Sequence, residues 1–201
     1  MLDSPFSLEF EISTPARFDA LQRFFFALKS EKDQILKSGD SDAEEDQYDP
    51  VDEPNWIDYL DEEAIEWFSD FLDLDSPEGI TFSKLWELTE PEYRCVDNMF
   101  HLPGHWDFES LLESLFNGEY VLVDLRGKTD TTGELIYDPW AGPFGGTEPL
   151  VELIEAFGQT VTYDSWHEGP HRRCVVGWDY ELAKKLVAEG KGYIPNQEKS
   201  T

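Results

Sequence analysis

Between Lys37 and Lys84 the chain has no Lys, Arg or His, while seventeen Asp and Glu stand between Asp40 and Glu78. A helix built from such a run repels itself, by roughly a few tenths of a kcal/mol per like-charged i,i+4 pair, and persists only where tertiary packing holds it. The same stretch contains Tyr48, Trp56, Tyr59, Trp67, Phe68 and Phe71, apolar side chains that an ordinary acidic tail lacks. It therefore reads as a folded anionic surface with a shape of its own.

Composition narrows the possibilities around that surface. With 201 residues, 40% hydrophobic and 14% aromatic, the chain is expected to build one full core. A net charge of −29 argues against a phosphate-backbone binder, which needs clustered Lys and Arg, so no direct nucleic-acid partner is expected. The same charge steers basic proteins toward the chain. No apolar run approaches the roughly 18 residues of a membrane span, and the N-terminus has neither a basic nor an apolar leader region. A cytosolic location away from membranes is the expectation, with Cys95 and Cys174 as buried thiols rather than a disulfide.

Hydrophobic periodicity gives the element order. Leu8, Phe10 and Ile12 alternate with polar neighbours as a half-buried strand does. Thr14 and Pro15 open a helix expected over residues 15–30, with Phe18, Leu21, Phe24, Phe25 and Leu28 on one stripe. Residues 40–54 read as an acidic loop, and residues 55–73 as an amphipathic helix. Its apolar stripe is Ile57, Leu60, Ala64, Phe68, Phe71 and Leu72, and its acidic side is Asp58, Asp61, Glu62, Glu66, Asp70 and Asp73. Further helices are expected over residues 77–88 and from Asp107 to a stop at Asn117-Gly118. A hairpin of residues 120–125 and 134–137 follows. Thr147 is placed to cap a helix that Gly158 ends, and residues 159–166 alternate Val161, Tyr163 and Ser165 as a strand. A short strand at 174–178 and a helix over residues 180–189 complete the pattern.

Set aside the middle helices and the order is βαββαβ, an α+β antiparallel sheet with helices on one face. The expected organisation is a single domain over residues 1–201, with 38–90 an acidic, mainly helical insertion and 195–201 a polar tail.

Reaction chemistry is weakly marked. All four histidines fall in two pairs, His101/His105 and His167/His171, with Cys95 and Cys174 nearby, and zinc takes such ligands. Pro103-Gly104 and Gly169-Pro170 interrupt both pairs, so neither can present its histidines from one helix face; loop histidines facing solvent are the simpler reading. Residues 138–147 form a glycine-rich connection into a helix N-terminus, a place where backbone N–H groups hold anions, yet no Lys or Arg lies in it. A tight turn plugged by Trp140 and Phe144 is the simpler reading, with a small-molecule pocket as the alternative. Cys174 beside His171, His167, Arg172 and Arg173 could make a thiolate pair, but it opens an apolar run where a buried thiol is usual. Asp40, Asp42, Glu44, Asp73 and Asp75 lack the glycine and glutamate of a calcium loop. No catalytic residue is assigned, and no cofactor is expected unless the histidine clusters take zinc.

Three readings of the acidic stretch stay open. It is a solvated face of a generally acidic, salt-adapted domain. It is a docking face for a basic partner, such as a nuclease, a toxin held inactive by an immunity protein, or a nucleic-acid-binding protein whose site it mimics; Asp58, Asp61, Glu62, Glu66, Asp70 and Asp73 would then supply charge, and Trp56, Tyr59 and Trp67 anchors. Or the chain is a zinc or small-molecule binder, or an enzyme, using the 138–147 loop with His101, His105, His167, His171 and Cys174.

Overall fold

A computed structural model describes residues 5–38, 54–71, 73–88, 105–139, 146–170 and 180–191. The elements run β1 (Phe6–Glu11), α1 (Pro15–Ser38), a 3₁₀ turn (Trp56–Tyr59), α2 (Glu62–Ser69), α3 (Pro77–Leu88), α4 (Phe108–Asn117), β2 (Tyr120–Gly127), β3 (Thr132–Pro139), α5 (Glu148–Ala156), β4 (Thr160–Asp164) and α6 (Tyr180–Ala188). They form two compact units, Met1–Trp67 with Phe108–His171, and Phe68–Asp107 with Arg172–Thr201. The acidic stretch is shared between them.

The first unit is the α+β body. Its sheet has the order β2-β3-β1-β4 with every neighbouring pair antiparallel, so β1 and β2 run parallel with β3 between them. That is the split β-α-β arrangement which the element order implied. Leu8, Phe10, Leu122, Leu125, Leu135 and Tyr137 point to the helix-covered face and are buried. Against them lie Phe18, Leu21, Phe24, Phe25 and Leu28 of α1, and Leu150, Leu153 and Ile154 of α5. Gly133 is glycine because Phe10 leaves no room for a side chain; an added Cβ would come within 2.5 Å of that ring.

α1 begins as expected, with Thr14 Oγ1 accepting from the Arg17 N–H at 3.4 Å. It does not stop near Ser30 but runs to Ser38. The buried stripe continues past Leu28 to Lys32, and Lys29 and Asp33 pair one turn apart at 2.9 Å. Lys32 Nζ donates to the carbonyls of Leu115 (2.7 Å), Phe116 (3.2 Å) and Gly118 (2.6 Å), closing the C-terminus of α4 from another helix.

Two register shifts alter which residues face the core. In β2 a bulge between Leu122 and Asp124 turns Leu122 and Leu125, three apart, to the same side. Where β4 pairs with β1, Glu9 meets Tyr163 but Phe10 meets Val161. Val161 and Asp164 consequently both point inward, and Tyr163 is exposed, correcting the simple alternation expected there.

The continuous helix expected over residues 55–73 is also corrected. The chain makes a 3₁₀ turn, passes through extended Leu60 (φ −81°, ψ 144°), and starts a shorter helix at Glu62. Asp61 is the reason for the restart, since its Oδ1 accepts from the Ala64 N–H at 2.8 Å in the manner of an N-cap. Beyond α2, Ser76 caps α3 by accepting from the Gly79 N–H at 3.0 Å, with Pro77 at the first helical position. In the second unit α3 packs on α6, and Phe71 forms a short parallel bridge with His105. Among the described residues no helix is long and apolar enough to cross a membrane.

Candidate functional site

The acids of the first unit divide into two groups. Arg17, in the first turn of α1, sets Nε 3.3 Å from Asp61 Oδ2, pairs Nη1 with Glu63 Oε2, and donates from Nη2 to the Ala156 carbonyl at 2.8 Å. Asp61 and Glu63 are thus spent on the fold. Asp58, Glu62 and Glu66 are exposed and, among the described residues, make no ion pair. In the second unit Asp70 and Asp73 are exposed too, and Asp73 Oδ1 accepts from the Asp75 N–H at 2.9 Å.

Three aromatic residues of this stretch, Trp56, Tyr59 and Trp67, face inward. Trp56 is only 7% exposed, and its ring lies 5.6 Å from Phe24 and 5.6 Å from Phe116. Tyr59 is half-buried against Trp56 at 5.8 Å. Trp67 Nε1 donates to Oε1 of buried Glu152 at 2.9 Å. These three tie the acidic segment to the sheet unit. Ile57 and Ile65 are the large apolar side chains left in water there, and Phe71 and Leu74 are their counterparts in the second unit.

A second polar cluster lies where β4 ends. Asp164 is fully buried; its Oδ2 accepts from Thr147 Oγ1 at 2.5 Å and its Oδ1 from the Trp166 N–H at 2.9 Å. Thr147 therefore does not cap α5 with its side chain, contrary to expectation, because its hydroxyl is turned to the carboxylate. Phe6 packs edge-on against Trp166 (4.9 Å) and stacks on Tyr137 (6.0 Å). Burial raises the Tyr137 phenol above its ordinary range, and the negative charge of Asp164 adds to this. The turn after β4 brings His167 Nε2 to 3.7 Å from Asp164 Oδ2 and holds Glu168 in the left-handed region at φ 53°.

Of the sequence-predicted metal ligands, His105 is half-buried in the second unit, where its backbone N–H donates to the Asp70 carbonyl at 3.2 Å, and His167 is exposed in the first. His101, His171, Cys95 and Cys174 lie outside the described residues, as do residues 40–53, Trp140, Phe144, the 174–178 strand and the 195–201 tail. Among the described residues no group of three His, Cys, Asp or Glu could hold a metal ion.

Sequence reasoning missed Arg17, Lys32 and Asp164 as organising polar groups. For Arg17 a signal existed: it is a base one turn into α1 in a chain with 15 Lys and Arg against 44 acids, so its pairing was to be expected. Compared with protein-family models, with curated proteins and with solved structures, the chain matches none.

Proposed function

We propose that the chain is an acidic binding module that docks to or inhibits a basic protein, in the cytosolic setting which the widely spaced cysteines suit. The observation that supports this reading is the division among neighbouring acids. Asp61 and Glu63 are consumed by Arg17, whereas Asp58, Glu62 and Glu66 stand exposed with no base beside them among the described residues. Glu62 and Glu66 repel each other at i,i+4, and Glu66 lies toward the negative end of α2. Among the described residues no base offsets that cost. A cationic partner does, and long-range attraction to a chain of pI about 4.1 raises its encounter rate.

The test is retention from an extract of the source cells on immobilised protein, at low and then high salt. The wild type is expected to hold a basic protein that salt releases, and Asp58→Lys/Glu62→Lys/Glu66→Lys, with an unchanged circular dichroism spectrum, is expected to lose it. Equal retention by both proteins overturns the reading.

A further inference from the structure

Two aliphatic side chains are exposed beside these exposed carboxylates: Ile57 is 55% exposed and Ile65 43%. On α2, Glu62, Ile65 and Glu66 follow the three- and four-residue spacing of one helix face, turned away from buried Ala64 and Phe68. Ile57 and Asp58 occupy the 3₁₀ turn just before it. A single exposed isoleucine needs no explanation. Two within nine residues, in a segment whose tryptophans are all committed inward, form a surface that charge alone does not account for.

We infer that this face receives a basic amphipathic helix, whose apolar side chains seat on Ile57 and Ile65 while its Lys or Arg meet Asp58, Glu62 and Glu66. The inference rests on the basic-partner reading above and narrows it. Apolar contacts that exclude water supply binding energy, while the carboxylates around them fix orientation and speed encounter. An amphipathic helix offers both at matching spacing. Charge complementarity selects this occupant: a second copy of the chain would bring another −29 to the contact, and nucleic acid or an anionic membrane would be repelled as well.

The experiment uses the full chain and two labelled peptides of identical Lys, Arg and Leu content, one patterned as an amphipathic helix and one scrambled, followed by fluorescence anisotropy at low and high salt. The patterned peptide is expected to bind about tenfold tighter or better. Ile57→Ser/Ile65→Ser should erase that preference without changing the circular dichroism spectrum, and Asp58→Asn/Glu62→Gln/Glu66→Gln should weaken both peptides and flatten the salt dependence. Equal affinity for the two peptides, or a preference that survives the serine substitutions, overturns the inference. If the peptides bind equally and the carboxamide variant weakens both, a basic partner still stands and only the helix-seating inference falls. If neither peptide binds at low salt, both fall. A concentration-dependent dimer abolished by the serine substitutions would reassign the face to self-association.

Discussion

The hydroxyl of Thr147 donates to Asp164 Oδ2 at 2.5 Å, joining the residue before α5 to the last residue of β4. Both residues are buried, so neither side of the bond is easily replaced by water. Thr147→Val is expected to cost about 1.5–3 kcal/mol, the range for hydrogen bonds to charged groups, and Thr147→Ser much less. Urea unfolding of Thr147→Val, Asp164→Asn and the double variant checks this; additivity of the two changes would mean that the residues do not act as a pair.

Arg17 holds the Asp61 and Glu63 turn against the body of the first unit. Arg17→Ala leaves Asp61, Glu63 and the Ala156 carbonyl without that guanidinium, and because these ion pairs are partly in water the expected loss is only about 1–2 kcal/mol. The loss should be local. Amide exchange ought to quicken first in residues 56–69, and uniform acceleration across the unit would contradict the clamp. Gly158→Ala is expected to loosen the same contact, since Gly158 sits at φ 73° and an added Cβ would lie 2.6 Å from Arg17 Nη1.

Lys32 gives the chain an unusual alkaline profile. Burial lowers its ammonium to about 8 from 10.5, so between those values the unfolded chain holds the proton more firmly than the folded one. The contribution of Lys32 to stability is therefore flat below about pH 8 and rises above it, by on the order of 3 kcal/mol at most. Past about pH 10 the trend reverses: Tyr120 and Tyr137 are raised by burial, so the unfolded chain loses their protons first. Urea midpoints from pH 7 to 11 should show a maximum near pH 10, and Lys32→Met should remove its rising limb.

Trp56 and Ile57 are neighbours with opposite roles. Trp56→Ala empties a position packed between Phe24 and Phe116 and is expected to cost about 3–5 kcal/mol. Ile57→Ser should stay within about 0.5 kcal/mol. Thermal melts of the two variants decide it, and comparable losses would mean that Ile57 also belongs to the core.

The sheet and its helices were legible because their residues repeat with clean periods: Leu8 and Phe10 at two, Phe18 to Leu28 at three and four. Asp164 was not. A residue inserted into the β4 register reverses which side each later residue faces, and no local pattern in Thr160–Asp164 announces the shift. The division of residues 55–73 was missed for another reason. Asp61 scores as one more acid on a polar face, and only the tertiary contact with Arg17, together with its bond to the Ala64 N–H, makes it the point where one helix gives way to another. Trp67 fits a core or a surface equally well by its place in the sequence, and Trp56 reads there as a surface anchor; in the fold Trp56 packs on buried Phe24 and Trp67 bonds buried Glu152.

The bulge in β2 also bears on how the chain behaves at high concentration. Among the described residues β2 is an outermost strand, and beside the bulge Asp124 turns its own Oδ1 to the Leu125 N–H at 3.0 Å. At the opposite margin β4 departs from even register with β1. Neither margin is a straight ladder onto which another polypeptide could hydrogen-bond in long register. Irregular margins of this kind disfavour strand addition, so backbone shape works in the same direction as mutual repulsion when molecules crowd.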